Sequence, residues 1–195
     1  MRNNRINQLL TVVSMIITMA LLSPVHAADP EFGITAGFRS NNADTDSSGY
    51  KVTGKTGLNF GALALIPIKD AIGFRTAFTY SQRGLDLDSS GNKGEVKLAY
   101  LDIPLTLYYK FSDFAGLFAG PVISLVQSKE CSQTGSSTCS LTSVQSSIVP
   151  ISFGVTFKFA PQMGGELVYE QYSGKLSDEV NNLRSVGANF VFYFE

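Results

Sequence analysis

Between residues 101 and 111 the apolar side chains fall on every second position, Leu101, Ile103, Leu105, Leu107, Tyr109 and Phe111, while Asp102, Pro104, Thr106, Tyr108 and Lys110 take the other parity. A period of two predicts a strand with one apolar and one polar face. A tilted strand needs roughly 9–11 residues to cross the hydrocarbon core of a bilayer, and this run is long enough. The alternation recurs along the chain. Residues 31–40 set Phe32, Ile34, Ala36 and Phe38 against Gly33, Thr35, Gly37 and Arg39, and residues 57–66 set Leu58, Phe60, Ala62, Ala64 and Ile66 against Gly57, Asn59 and Gly61. Similar strands are predicted at 72–83, 149–159 and 185–194, with a less regular one at 165–173. Residues 116–127 are apolar on both parities, so that strand's orientation stays open.

The count is eight strands. Polar stretches at 41–55, 84–94, 128–143 and 174–182 alternate with short turns at 67–70, at Ser112-Asp113 and about Gln162. Long connections on one side and short ones on the other are the asymmetry of bacterial outer-membrane barrels, with both chain ends on the periplasmic side. The expected fold is therefore all-β, an eight-stranded antiparallel up-and-down transmembrane β-barrel. Two details strain the pattern. Val96, Leu98 and Tyr100 fall on the parity opposite to Leu101 onward, which predicts a bulge or a strand end projecting beyond the membrane. Pro104, Pro121 and Pro150 fall inside strands of a barrel without free edges, which predicts local bulges.

The segment LDIPLTLYYKF at 101–111, followed by FAGP at 118–121, resembles the PorT-like outer-membrane β-barrel domain family. In that family an acidic-Ile-Pro-Leu strand ends in Tyr-Lys-Phe and the next strand carries Gly-Pro. The resemblance covers residues 100–121 strongly, and the remainder from Gly33 onward by spacing. It implies a small outer-membrane barrel in a family mostly without assigned activity.

Arg2 and Arg5 precede an apolar run at 9–22, and Val25-His26-Ala27 has the small-x-small form of a signal-peptidase site. Residues 1–27 are expected to be a signal peptide and 28–195 the barrel domain, located in the outer membrane of a Gram-negative envelope after cleavage near Ala27. The apolar run is short of the roughly twenty residues of a spanning helix, and a chain that enters lipid without one must close as a barrel. Cleavage leaves a net charge of 13 − 16 = −3, which gives no footprint for nucleic acid. The 14 Phe and 8 Tyr suit strands and interfacial girdles, although Trp is absent. Cys131 and Cys139 are the only cysteines, and a disulfide closing a surface loop is expected in an oxidising compartment. Two free thiols or a metal pair are the alternatives, the latter disfavoured by the lack of a neighbouring histidine.

The only histidine is His26, so the exported part has none. That removes a Ser-His or Asp-His site and histidine-containing metal sites. No enzyme and no cofactor is expected. Asp44-x-Asp46-x-Ser48-Gly49 and Asp86-x-Asp88-x-Ser90-Gly91 echo the start of a calcium loop, but the twelfth positions are Lys55 and Lys97 instead of Glu. The charges at inward parity, Arg75, Asp102, Lys110, Lys158, Glu166 and Glu170 together with Arg39 and Arg83, are expected inside the barrel, since a basic group at the midplane of the lipid face costs roughly 2–4 kcal/mol. Arg75 with Asp102, and Lys158 with Glu166, are the expected pairs. These features support a barrel acting through its surface loops, in surface interaction or envelope integrity. A narrow channel or transporter for small solutes is the alternative, and a soluble periplasmic ligand-binding barrel is a third. Expected partners are outer-membrane lipid and lipopolysaccharide and the barrel-assembly machinery, with the chain a monomer.

Overall fold

The computed structural model describes residues 29–45, 50–89, 92–134, 144–177 and 180–194. The elements are β1 (Glu31–Asp44), β2 (Tyr50–Lys69), β3 (Ile72–Ser89), β4 (Asn92–Ser112), β5 (Ala115–Thr134), β6 (Ser147–Ile148), β7 (Ile151–Ala160), β8 (Met163–Gln171) and β9 (Asn181–Phe194). They pair antiparallel in the order β4-β3-β2-β1-β9-β8-β7-β5, and β4 pairs with β5 to close the ring. The two-residue β6 pairs with Ser124 and Leu125 of β5 and shares one barrel position with β7, so the ring has eight strand positions. Pro150 separates the two, because it has no N–H for the ladder, while its carbonyl accepts from the Val122 N–H at 2.8 Å.

The alternation places its apolar set outside. Phe32, Phe38, Phe78 and Phe159 are 55–63% exposed, whereas Thr35, Arg39, Asn59 and Arg75 are buried. A soluble barrel would need the reverse. On β5 the inward residues are Gly116, Phe118, Val122 and Ser124, with Leu117, Ala119, Pro121, Ile123 and Leu125 outward, which settles the open orientation. Its inner face is apolar because Phe118 underlies a buried guanidinium, that of Arg75, 4.4 Å from the ring.

The bulge expected near Val96, Leu98 and Tyr100 is present as a register shift at Ala99/Tyr100, where Ala99 pairs with Ser128 and Tyr100 with Val126. These side chains point inward like Asp102 and Thr106, and the inner face itself becomes apolar there. Two expectations are corrected. Pro104 and Pro121 cause no bulge. The ladder skips pairs beside them without changing register, and Gly120 allows the close approach, since a Cβ there would lie 2.4 Å from the Leu105 carbonyl oxygen. The central hairpin turns at Asp113-Phe114, one residue later than expected.

Strands β2 to β5 are 18–21 residues long, against 10 for β7 and 9 for β8. Ten extra residues at the rise of an extended strand add roughly 30 Å along the strand. Much of what the sequence marks as polar loop at 84–94 is thus ladder, with Gly84 to Ser89 paired to Lys97 to Asn92. One side of the barrel carries a tall wall on its outer end.

Candidate functional site

The inner faces of the strands stack the lumen in tiers. At the periplasmic mouth, the Lys158 ammonium donates to Glu31 at 2.5 Å and sits 4.5 Å from the centroid of the Tyr193 ring. Both border a cavity of about 140 Å³ that also touches Tyr108 and Thr156. Leu63, Leu65, Ala77, Val191 and Tyr193 form an apolar cluster in this lower half.

Above it Arg75 of β3 reaches Glu166 of β8, on the opposite side of the eight-position ring, with Nε–Oε1 at 2.8 Å and Nη2–Oε2 at 2.7 Å. Two parallel charge-assisted bonds hold both planes fixed. Asn189 donates to the same carboxylate at 3.3 Å, and Asn59 donates to Asn189 at 2.9 Å. One bidentate pair therefore spans the lumen. Gly154 makes room beside it, since a Cβ there would lie 2.4 Å from the Phe118 ring.

The next tier is a four-residue network. Arg83 donates to Asp102 at 2.9 Å and to Glu170 at 3.2 Å, while Arg39 donates to Glu170 at 2.6 Å and to Asp102 at 3.4 Å. The Arg83 guanidinium stacks 4.5 Å from the Tyr100 ring. All four side chains are at most 6% exposed. Charges this deep are tolerable only when paired, and two guanidinium groups meeting two carboxylates leave no net charge.

Outside that tier the inner face turns apolar. Leu85, Val96, Leu98, Tyr100, Ile148 and Leu183 pack with Leu176 and Val180 from the β8–β9 connection, which folds into the barrel mouth. The connection is held there by the Leu176 N–H donating to Val180 O at 2.8 Å and the Gln145 N–H to Leu176 O at 3.0 Å. The cap explains why Val96, Leu98 and Tyr100 are apolar at inward positions.

Arg75, Asp102, Glu166 and Glu170 are thus interior, but the expected pairs are not those formed. Arg75 pairs with Glu166, and Asp102 pairs with Arg83 and Arg39. Lys158 faces Gly164 in the ladder, not Glu166, because the turn is the two residues Pro161-Gln162 with a register shift between Lys158 and Ala160. Lys110 is corrected to the periplasmic rim: it lies beside the short turn, half exposed, and its ammonium pairs with Asp113 at 3.0 Å. Cys131 sits on the outer part of β5 opposite Val96, and Cys139 lies outside the described residues. So do residues 1–27 and Asp46, Ser48 and Gly49 of the first calcium-like motif. Asp86 and Asp88 of the second are strand residues, and Asp86 binds Lys55 at 2.9 Å. Among the described residues no three His, Cys, Asp or Glu side chains gather as a metal site.

On the outer face of the wall Lys55 also binds Glu95 at 2.9 Å. The hydrogen bond the Lys55 ammonium donates to Glu95, then the one it donates to Asp86, raises that ammonium above its ordinary value, and the same bond from Lys55 lowers the Glu95 carboxyl.

No curated protein sequence matches the chain. Among solved structures it is similar to Ail, the attachment invasion locus protein of Yersinia pestis, in complex with the heparin analogue sucrose octasulfate, with a TM-score of 0.51, 15% identity, and 86% of this chain and 100% of Ail covered. It is also similar to Neisserial surface protein A, with a TM-score of 0.52, 14% identity, and 86% and 100% covered. These likenesses bear on the fold. Residues 27–171 match the family model described as outer membrane protein beta-barrel domain. With its apolar belt outside, its ring of eight positions and that match over most of its length, the chain belongs to the outer membrane protein beta-barrel domain family and is an outer-membrane barrel in contact with lipid.

Proposed function

We propose that this barrel is non-enzymatic and acts at the cell surface through its outer wall and loops, in surface interaction or envelope integrity, and not as a conduit. The observation that carries the reading is the filled lumen: the Arg75–Glu166 pair spans it, and a charge network and an apolar cap lie above. Length and charge are concentrated instead on the projecting parts of β2 to β5.

In this reading residues 1–27 are removed as a signal peptide, and residues 28–195 are delivered to the barrel-assembly machinery. The barrel sits as a monomer among lipid and lipopolysaccharide, and a Cys131–Cys139 disulfide ties the third surface loop. The motif at 101–111 and 118–121 supports placement in the PorT-like branch of such barrels. Loop exchange tests the assignment. Residues 46–49, 90–91 and 135–143 are replaced by short Gly-Ser turns in the full chain, and folding is checked by heat-modifiable gel mobility. The expected outcome is a folded barrel that no longer complements the surface or envelope defect of a deletion strain. Full complementation by the loop-exchanged barrel would assign the function to the barrel body.

A further inference from the structure

The outside of the barrel is not uniformly convex. Two neighbouring ladder rows, Leu107-Ala119-Phe153-Tyr169 and Tyr109-Leu117-Val155-Leu167, point outward across β4, β5, β7 and β8. Between them runs the inward row Phe118-Gly154-Val168, whose outer side has no side chains to cover it. Ala119 and Val155 are short where their neighbours are Leu, Phe and Tyr. The result is a groove of about 730 Å³ with an apolar lining. Strands of such barrels tilt by roughly 35–45°, so a groove along the ladder rows climbs the wall obliquely. Its ends differ from its middle. Tyr109 lies near the periplasmic end of β4, and Tyr169 lies near the outer end of β8, where its hydroxyl donates to Gln171 at 3.4 Å.

We infer that this groove is a binding site for one acyl chain of an outer-leaflet lipid, which it holds longer than the surrounding wall holds its lipids. The family places this face in hydrocarbon, so the occupant is either a chain or another protein. A second barrel is convex and would touch only the rims at Leu107, Leu117 and Phe153, leaving the floor empty. A single flexible chain lies along the shallow groove and gains dispersion contacts with its floor as well as with a rim. Within a bilayer close packing, not water exclusion, is what distinguishes one apolar contact from another. The phenol and amide at the outer end are placed for a polar headgroup.

Native mass spectrometry of the full mature barrel, purified from outer membranes in a mild non-ionic detergent, tests this. The expected spectrum shows one lipid-mass adduct that survives extended washing. Ala119→Phe with Val155→Phe, both outward substitutions that fill the floor, should cut the adduct at least ten-fold, while Ala62→Phe on the opposite wall should leave it unchanged. If the double variant fails the gel-mobility test for folding, Ala119→Leu alone is read the same way. A wild-type barrel without an adduct, an adduct insensitive to Ala119→Phe or Ala119→Leu, or a dimer that those substitutions dissolve would each overturn the assignment.

Discussion

A buried guanidinium needs an anionic partner, and for Arg75 that partner is a carboxylate across the ring on β8, held through both of its oxygens. Glu166→Ala leaves Arg75 unpaired at 5% exposure, and the cost of orphaning one partner of a buried pair is about 3–5 kcal/mol. The double variant Arg75→Met with Glu166→Leu removes both charges and should recover most of that loss. Urea unfolding midpoints of the folded barrel in detergent check both, and equal midpoints for Glu166→Ala and wild type would refute the pairing. The sequence shows which residues face inward, because parity is local. It does not show that Arg75 meets Glu166 instead of Asp102, because that depends on how the ring closes and on strand stagger, which no single strand encodes. Lys110 has inward parity too, yet it lies at the last turn, where the wall ends and Asp113 is nearer than any interior anion.

At the scale of elements, parity identifies the membrane-facing side of β1 and of residues 101–111. The Val96-Leu98-Tyr100 stretch reads as a bulge or a projecting strand end, and a register shift does lie there, but the reason for its apolar inward face is carried by Leu176, Val180 and Leu183 in another part of the chain. The hairpin at 84–94 reads as loop because Ser, Gly, Asn and Asp dominate it, although Leu85 and Leu87 alternate with Asp86 and Asp88 and Lys55, Asp86, Glu95 and Lys97 form a cross-strand ladder. That ladder titrates predictably. The Glu95 carboxyl is lowered from 4.5 chiefly by the bond from Lys55, so its contribution is present above 4.5 and is lost as pH falls through the folded value. Lys55 is raised from 10.5 chiefly by the bond to Glu95, so its contribution is present below 10.5 and is lost as pH rises through the folded value. Carbon NMR of Glu95 should show titration below 4.5 in wild type and a return toward it in Lys55→Met; identical midpoints would contradict the ladder. The proposed Cys131–Cys139 disulfide belongs to this scale as well. A loop of this size contributes on the order of 2–3 kcal/mol in the chain-entropy account, most of it local. Thiol labelling of the denatured, unreduced protein should find no free thiol, and two labelled cysteines would rule the bridge out.

For the whole molecule, eight strands leave an interior just wide enough for side chains to fill. Here Arg39, Arg75, Arg83 and Lys158 are matched by Glu31, Asp102, Glu166 and Glu170, so the filling is neutral as well as dense. A closed, neutral lumen under a tall charged wall puts contact with other molecules on the outside of the barrel. Planar-bilayer recording of the purified wild-type barrel tests this most directly. The expected record is a baseline without unitary steps, unchanged in Asp102→Ala, which should lower the unfolding temperature without opening a pore. Steady single-channel currents from the wild-type monomer would contradict the closed lumen and return the function to transport.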